Sequence, residues 1–289
     1  MNLQNRPIGI FDLTSECPLR CQHCYFYTNI SHIPTDLSDE EFLLRLKNVR
    51  DSYGIRSAFW IGGEPLLKPT LLQQAMRLFS RNAVATSGVV PIPTGLSGGL
   101  LVSIEGPQDV HDSLRGKGTF DLALQNINNL DRGSFALATT FTSITVDYIN
   151  LLPNLVRSTG ALGVLVGFHV GRPKDPLRVD LKRRDQAVDE LLKLHNEHPG
   201  ILLHSREAIE LFRSSYCKEI SKNCIYRDTA IAFDVHFNVK KPCTFAENAS
   251  CEACGCPVVY IHAAIQKGDV TSKDLLYTLF PKEQSAIFP

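Results

Sequence analysis

This 289-residue sequence has no excess of charge of either sign, with 30 Lys plus Arg against 30 Asp plus Glu. No overall field therefore draws it to nucleic acid or to an anionic membrane surface. No apolar run reaches the roughly 18 residues of a membrane span. The start, MNLQNRPIGIF, lacks the basic stretch and apolar core of a secretory signal. These absences lead us to expect a cytoplasmic protein with no nucleic-acid partner and no membrane span. Cysteine is missing from Tyr25 to Tyr216. The nine cysteines fall instead into two groups, Cys17, Cys21 and Cys24 near the start, and Cys217, Cys224, Cys243, Cys251, Cys254 and Cys256 near the end. An odd number with no signal peptide argues against a disulfide scaffold. Burial as small hydrophobes would account for one or two thiols, not for two groups. Metal ligation is the better reading.

What is present is a core and a rhythm. Hydrophobic residues make up 44% of the chain, enough to bury a full α/β domain. Short apolar runs rich in β-branched or aromatic residues occur at 8–14, 57–63, 82–87, 100–106, 135–143 and 163–170, with 201–205 as a candidate seventh. Amphipathic segments separate them. Ser38 and Glu41 read as a capping box ahead of Phe42, Leu43, Leu46 and Val49. Thr119 precedes a helical stripe from Phe120 to Leu130, Thr145 is a candidate cap, and Val179 to His198 is a long charged helix. Strands alternating with helices imply parallel βαβ units. The expected fold is α/β, a partial (β/α)6 TIM-like barrel over residues 1–214. A small cysteine-rich extension over 215–289 would add a β-hairpin and cluster loops. In such barrels the chemistry sits at the carboxyl ends of the strands. The first cysteine group follows the first strand directly, GGEP ends the second, TSG the third and IEG the fourth.

Four cysteines would close a zinc or iron–sulfur site, whereas three leave one metal corner open. His23 or His32 could complete a zinc site. The Cys-x3-Cys-x2-Cys spacing after a first strand, followed by GGEPLL (62–67) and VSIEGPQDVHDSLRGKGTF (102–120), resembles the radical S-adenosylmethionine (radical SAM) superfamily. The resemblance implies that Cys17, Cys21 and Cys24 hold a [4Fe–4S] cluster whose fourth iron binds the amino and carboxylate groups of S-adenosylmethionine. It implies that Gly62, Gly63 and Glu64 serve the cofactor's ammonium and that His23 faces the adenine. It also places Thr86, Ser87, Ser103 and Glu105 at the cofactor site. Glu105 stands where Asp is more usual, and Thr86-Ser87-Gly88 where Thr-Asn-Gly is more usual. The implied chemistry is reductive cleavage of S-adenosylmethionine to a 5′-deoxyadenosyl radical, which takes hydrogen from an unactivated carbon. No separate catalytic residue is identified.

The second cysteine group resembles the twitch and SPASM extensions of this superfamily. Cys224 and Cys243 flank AIAFDVHFNVKKP, read as a hairpin turning at Phe237 to Val239, with Asn238 in place of the usual turn glycine. The longer final cysteine pattern of those extensions is shortened here to CEACGC, residues 251–256. The resemblance implies one auxiliary [4Fe–4S] cluster on Cys224, Cys243, Cys251 and either Cys254 or Cys256, with Cys217 the weakest candidate. A structural zinc is the rival. A flavodoxin- or ferredoxin-type reductant is the implied protein partner. The leading expectation for the substrate is a peptide side chain, as in a maturase. The alternatives are a nucleoside, sugar, lipid or other small metabolite, or a non-catalytic metal-binding module.

Overall fold

The computed structural model describes residues 5–27, 33–96, 98–172, 174–246 and 249–282; His32 lies outside them. Seven strands make one sheet: β1 (Ile8–Asp12), β2 (Ser57–Ile61), β3 (Arg81–Thr86), β4 (Gly99–Ser103), β5 (Ala136–Phe141), β6 (Val164–Phe168) and β7 (Ala230–Phe233). Their spatial order is β6-β5-β4-β3-β2-β1-β7, every pair parallel. Sequential neighbours wound in one direction curl such a sheet into a half-barrel with helices outside. The helices are α1 (Asp39–Tyr53), α2 (Pro69–Met76), α3 (Gln108–Arg115), α4 (Thr119–Ile127), α5 (Leu152–Thr159), α6 (Leu181–Glu197), α7 (Arg206–Glu210), α8 (Ser214–Lys222), α9 (Pro257–Gln266) and α10 (Val270–Leu279).

Six strands lie where the apolar runs place them. The seventh does not. Leu202 makes only an isolated parallel bridge to Val164, because Ser205 caps α7 and turns the chain away from the sheet. The seventh strand comes instead from the cysteine-rich segment, where the four buried residues of β7 add to the opposite edge of the sheet beside β1. The pairing is locked by aromatics in register. Phe11 stacks on Trp60 of β2 at 5.2 Å and on Phe233 of β7 at 5.5 Å, cross-strand contacts that couple three strands on one face.

The caps follow the sequence in part. Ser38 accepts from the Glu41 N–H, but the Glu41 carboxylate takes Arg45 at 2.7 Å and leaves the box half made. The N-cap of α4 is Gly118, with Thr119 as its first residue. Thr145 spends its hydroxyl on Thr140 O and Thr142 N, and makes no side-chain cap to the short helix after it. After β7 the chain reverses through Asp234–Asn238, with one antiparallel bridge from Phe233 to Val239 in place of a full hairpin. The left-handed residue is Phe237 (φ 67), not Asn238. Its ring packs 4.8 Å from Phe42, which offsets the strain, while the Asp234 carboxylate gathers the N–H groups of His236 and Asn238.

Candidate active site

The carboxyl ends of the strands gather the unusual residues, as parallel barrels do. The loop after β1 is tied down on both sides of its cysteines. The Asp36 carboxylate accepts from the Ser15 N–H at 2.7 Å and meets Lys68 at 3.1 Å. Gly63 N donates to Thr14 O and Glu64 N to Glu16 O. A Cβ on Gly63 would lie 2.0 Å from Glu16 O, and Gly62 sits at φ 125. The glycine pair therefore lets the β2 loop lace onto the cysteine loop; the close approach is between two backbones. Each sulfur of the loop has a donor nearby: Leu19 N at 3.4 Å from Cys17, Tyr27 N at 3.4 Å from Cys24, and Arg115 at 3.9 Å from Cys21. Burial pushes the Cys17 thiol up to about 11, with Glu64 and the neighbouring thiols adding to it. Burial likewise raises Cys21 against the pull of Arg115. Such thiols become strong ligands when a metal centre takes the place of their protons.

Two buried acids frame the site. Glu64, 1% exposed, accepts from Leu66 N and the Thr86 hydroxyl on one oxygen, and from Ser87 N and the Ser87 hydroxyl on the other. Its carboxylate thus fixes the end of β3. Glu105 accepts from Arg115 and His23 on one oxygen and from Thr140 N at 2.8 Å on the other. Burial opposes its charge, yet Arg115 and His23 hold its carboxyl well below the usual range. His111 supports the same turn by accepting from Glu105 N, and burial lowers it to about 4.

Between these groups lies a cavity of about 280 Å³. Cys17, Cys21, His23, Cys24, Gly62, Gly63, Glu64, Thr86, Ser87 and Ser103 all line it. Glu105 stands behind the wall and reaches it through Arg115 and His23. An outer cavity of about 500 Å³ adjoins it, and Tyr25, His169 and Val170 line both. His169, at the end of β6, is paired with Asp175 at 3.0 Å, and burial lowers its pKa. Sequence reasoning did not single out Arg115, Tyr25 or His169. Arg115 was visible in the LRG triplet, and His169 in its place after a strand. Phe245 and Pro257 also line the inner cavity, and nothing local marks them, since they arrive from the cysteine-rich segment.

In that segment, burial pushes Cys243 up to about 12, and Cys224 and Cys251 nearby push the same way. Cys254 is likewise raised to about 12 by burial, with Cys224 and Cys243 adding to it. Cys256 feels Cys254, Cys243 and Cys224. The charges of these thiols therefore reach one another, though among the described residues no three or more His, Cys, Asp or Glu side chains are gathered closely enough to hold a single metal ion. Cys217 is buried in α8 beside Arg213 O and 3.4 Å from the Tyr260 hydroxyl, which also donates to Cys254 O. The loop carrying Cys254 and Cys256 is pressed onto β6. Phe168 N donates to Gly255 O, and a Cβ on Gly255 would lie 2.1 Å from Phe168 O.

Three thiols on one loop, each with a donor beside its sulfur, at the edge of a cavity lined with polar groups, fit a [4Fe–4S] centre held at three corners. Cys17, Cys21 and Cys24 would hold it. Residues 12–151 match the family model described as the Radical SAM superfamily. Over 215 residues the chain is 28% identical to the Fe-coproporphyrin III synthase of Methanosarcina barkeri, covering 66% of this chain and 53% of that protein. It is 27% identical over 168 residues to the mycofactocin maturase MftC of Mycolicibacterium smegmatis, covering 52% and 42%. The chain spans about half the length of the curated relatives it matches. The fold is similar to anSMEcpe with bound AdoMet and a peptide, with a TM-score of 0.63 at 14% identity, covering 96% of this chain and 84% of that one. With the three-cysteine loop, the strand-end motifs and the half-barrel in agreement, residues 12–151 form a radical SAM superfamily domain.

Proposed function

We propose that this radical SAM enzyme acts on a peptide side chain at an unactivated C–H, as a maturase does, and holds an auxiliary [4Fe–4S] cluster in its cysteine-rich extension (215–289). When bound, the first cluster and S-adenosylmethionine supply a 5′-deoxyadenosyl radical. The chain's own residues position and shield. Gly62, Gly63 and Glu64 shape the ammonium side of the cofactor cavity, with Glu64 fixing Thr86 and Ser87. His23, steadied by Glu105, would face the adenine, and Ser103 lines the same cavity. An electron would come from a flavodoxin- or ferredoxin-type donor in the cytoplasm.

The observation that carries the substrate reading is the pair of joined cavities. The outer one, of about 500 Å³, and the inner one beside the cysteines, of about 280 Å³, meet at Tyr25, His169 and Val170. That shape suits a chain segment lying outside with one side chain inserted. A small metabolite is the second reading, favoured by the similarity to a protein named as a porphyrin synthase. To separate them, a lysate from deuterium-grown cells is fractionated into peptides and small molecules and offered to the anaerobically reconstituted enzyme. Deuterium in 5′-deoxyadenosine from the peptide fraction supports the first reading. Deuterium only from the small-molecule fraction overturns it in favour of the second.

A further inference from the structure

Arg184 is a cation in an unusual place. It is 2% exposed and sits in the first turn of α6, beside Lys182 and Arg183, where no residue of the turn is acidic. Helix amino termini carry partial positive charge and favour anions; the N-cap carboxylate of Asp180 is spent on Arg183 N, and burying a guanidinium remains costly. Arg183 escapes to Asp147 and Glu190. Among the described residues no carboxylate pairs with Arg184. Its N–H groups go to Phe212 O, Ala253 O and the Tyr260 hydroxyl, and its plane lies 4.7 Å from the Phe168 ring. Every one of these partners is neutral.

The anion that this cation lacks is available next door. Ala253 O belongs to the CEACGC loop, and the Tyr260 hydroxyl that accepts from Arg184 also donates to Cys254 O. A centre ligated by four thiolates carries net negative charge, and a one-electron reduction makes it more negative still. We infer that Arg184 is the internal counter-cation of the auxiliary centre and holds its reduction potential up, by favouring the reduced state. Because Arg184 also packs on Phe168, a wall of the inner cavity, it joins that centre to the radical site. The inference rests on the auxiliary-cluster reading.

The test uses the full chain with Cys17, Cys21 and Cys24 replaced by Ala, so that only the second centre is observed. The protein is reconstituted anaerobically, its iron and zinc are measured, and the centre is titrated with dithionite under EPR detection. With Arg184 intact, about four irons are expected. Arg184→Met should retain iron and titrate at a lower midpoint potential, while Arg184→Lys, which keeps the charge, should stay near the parent. Arg184→Gln, neutral but still a donor to the carbonyls, gives a second reading of the same shift should the Met variant not fold. An unchanged potential in an iron-loaded neutral variant overturns the role of Arg184 and leaves the cluster standing. Zinc or no iron with Arg184 intact overturns the cluster and the inference with it.

Discussion

Cys17, Cys21 and Cys24 share one loop, and two of their sulfurs meet N–H groups of that same loop. Cys224, Cys243, Cys251, Cys254 and Cys256 come from separate turns before β7, after it and ahead of α9, and come within reach of one another's charge only because β7 joins β1 and the last loop presses on β6. The polar shells differ in the same way. Around the first group, the buried Glu105 is answered by Arg115 and His23, while the buried Glu64 takes four neutral donors. Beside the second stands one buried guanidinium with neutral partners. A site encoded in a short spacing keeps its ligands close whatever the rest of the chain does. A site assembled from distant turns depends on the packing that brings them together.

The sharpest break of this comparison is removal of the first group. Replacing Cys17, Cys21 and Cys24 by Ala should reduce 5′-deoxyadenosine formation to background while changing unfolding free energy by less than about 1 kcal/mol, since the apolar core does not use those thiols. Denaturant titration and product analysis check both halves. Next in size, Cys243→Ala should cost the second centre its iron and abolish turnover of the true substrate, yet leave uncoupled cofactor cleavage. Cys217→Ser should retain that iron, because Cys217 is buried in α8 against the Tyr260 hydroxyl. Iron analysis of the two variants side by side decides whether the second set excludes Cys217.

The charged shell of the first site gives smaller effects. Arg115→Met strands the Glu105 carboxylate in a buried position and should destabilise the protein by about 3–5 kcal/mol, read by chemical unfolding at neutral pH. His111 provides a pH signature. Its folded pKa, about 4, lies below the value of about 6.5 in the unfolded chain. The neutral ring's contribution is therefore complete above pH 6.5 and is lost as pH falls toward 4, by up to about 1.4 kcal/mol per pH unit. His111→Leu should flatten the stability profile in that window by about one proton. Glu105 acts in the same sense at lower pH, its contribution disappearing as pH falls below the ordinary carboxylate range. Smallest, Glu64→Gln places amide hydrogens opposite N–H or hydroxyl donors and should cost about 1–3 kcal/mol, with weaker S-adenosylmethionine binding as the cofactor cavity loosens. Unaltered affinity at reduced stability would confine Glu64 to the β2–β3 scaffold.

Six strands, the first-loop cysteines and GGEP were legible because each is a local pattern. Alternation of apolar residues, a cap ahead of a helix and a three-cysteine spacing are all satisfied within a few residues. The seventh strand was not legible. Leu202 has the composition of a strand as much as Ala230–Phe233 does, and the choice was made by Ser205, which starts a helix, and by Phe11, which stacks on Phe233. The turn residue went the same way. Asn238 has the intrinsic preference for a left-handed backbone, but Phe237 takes it to bury its ring against Phe42.

By itself the sequence determined the α/β alternation, the three-thiol loop and the family, since these depend on periodicity and short spacing. Only the tertiary structure decided that Glu64 is saturated by Thr86, Ser87 and Leu66, that Glu105 works through Arg115 and His23, that His169 joins two cavities, and that Arg184 reaches the CEACGC loop. Those relations link residues from different strands and loops, 69 positions apart in the case of Arg184 and Ala253 and 82 in the case of His23 and Glu105. No local pattern encodes them, because they come into being only when burial of the core brings the strand ends and the last cysteine loop to the same place.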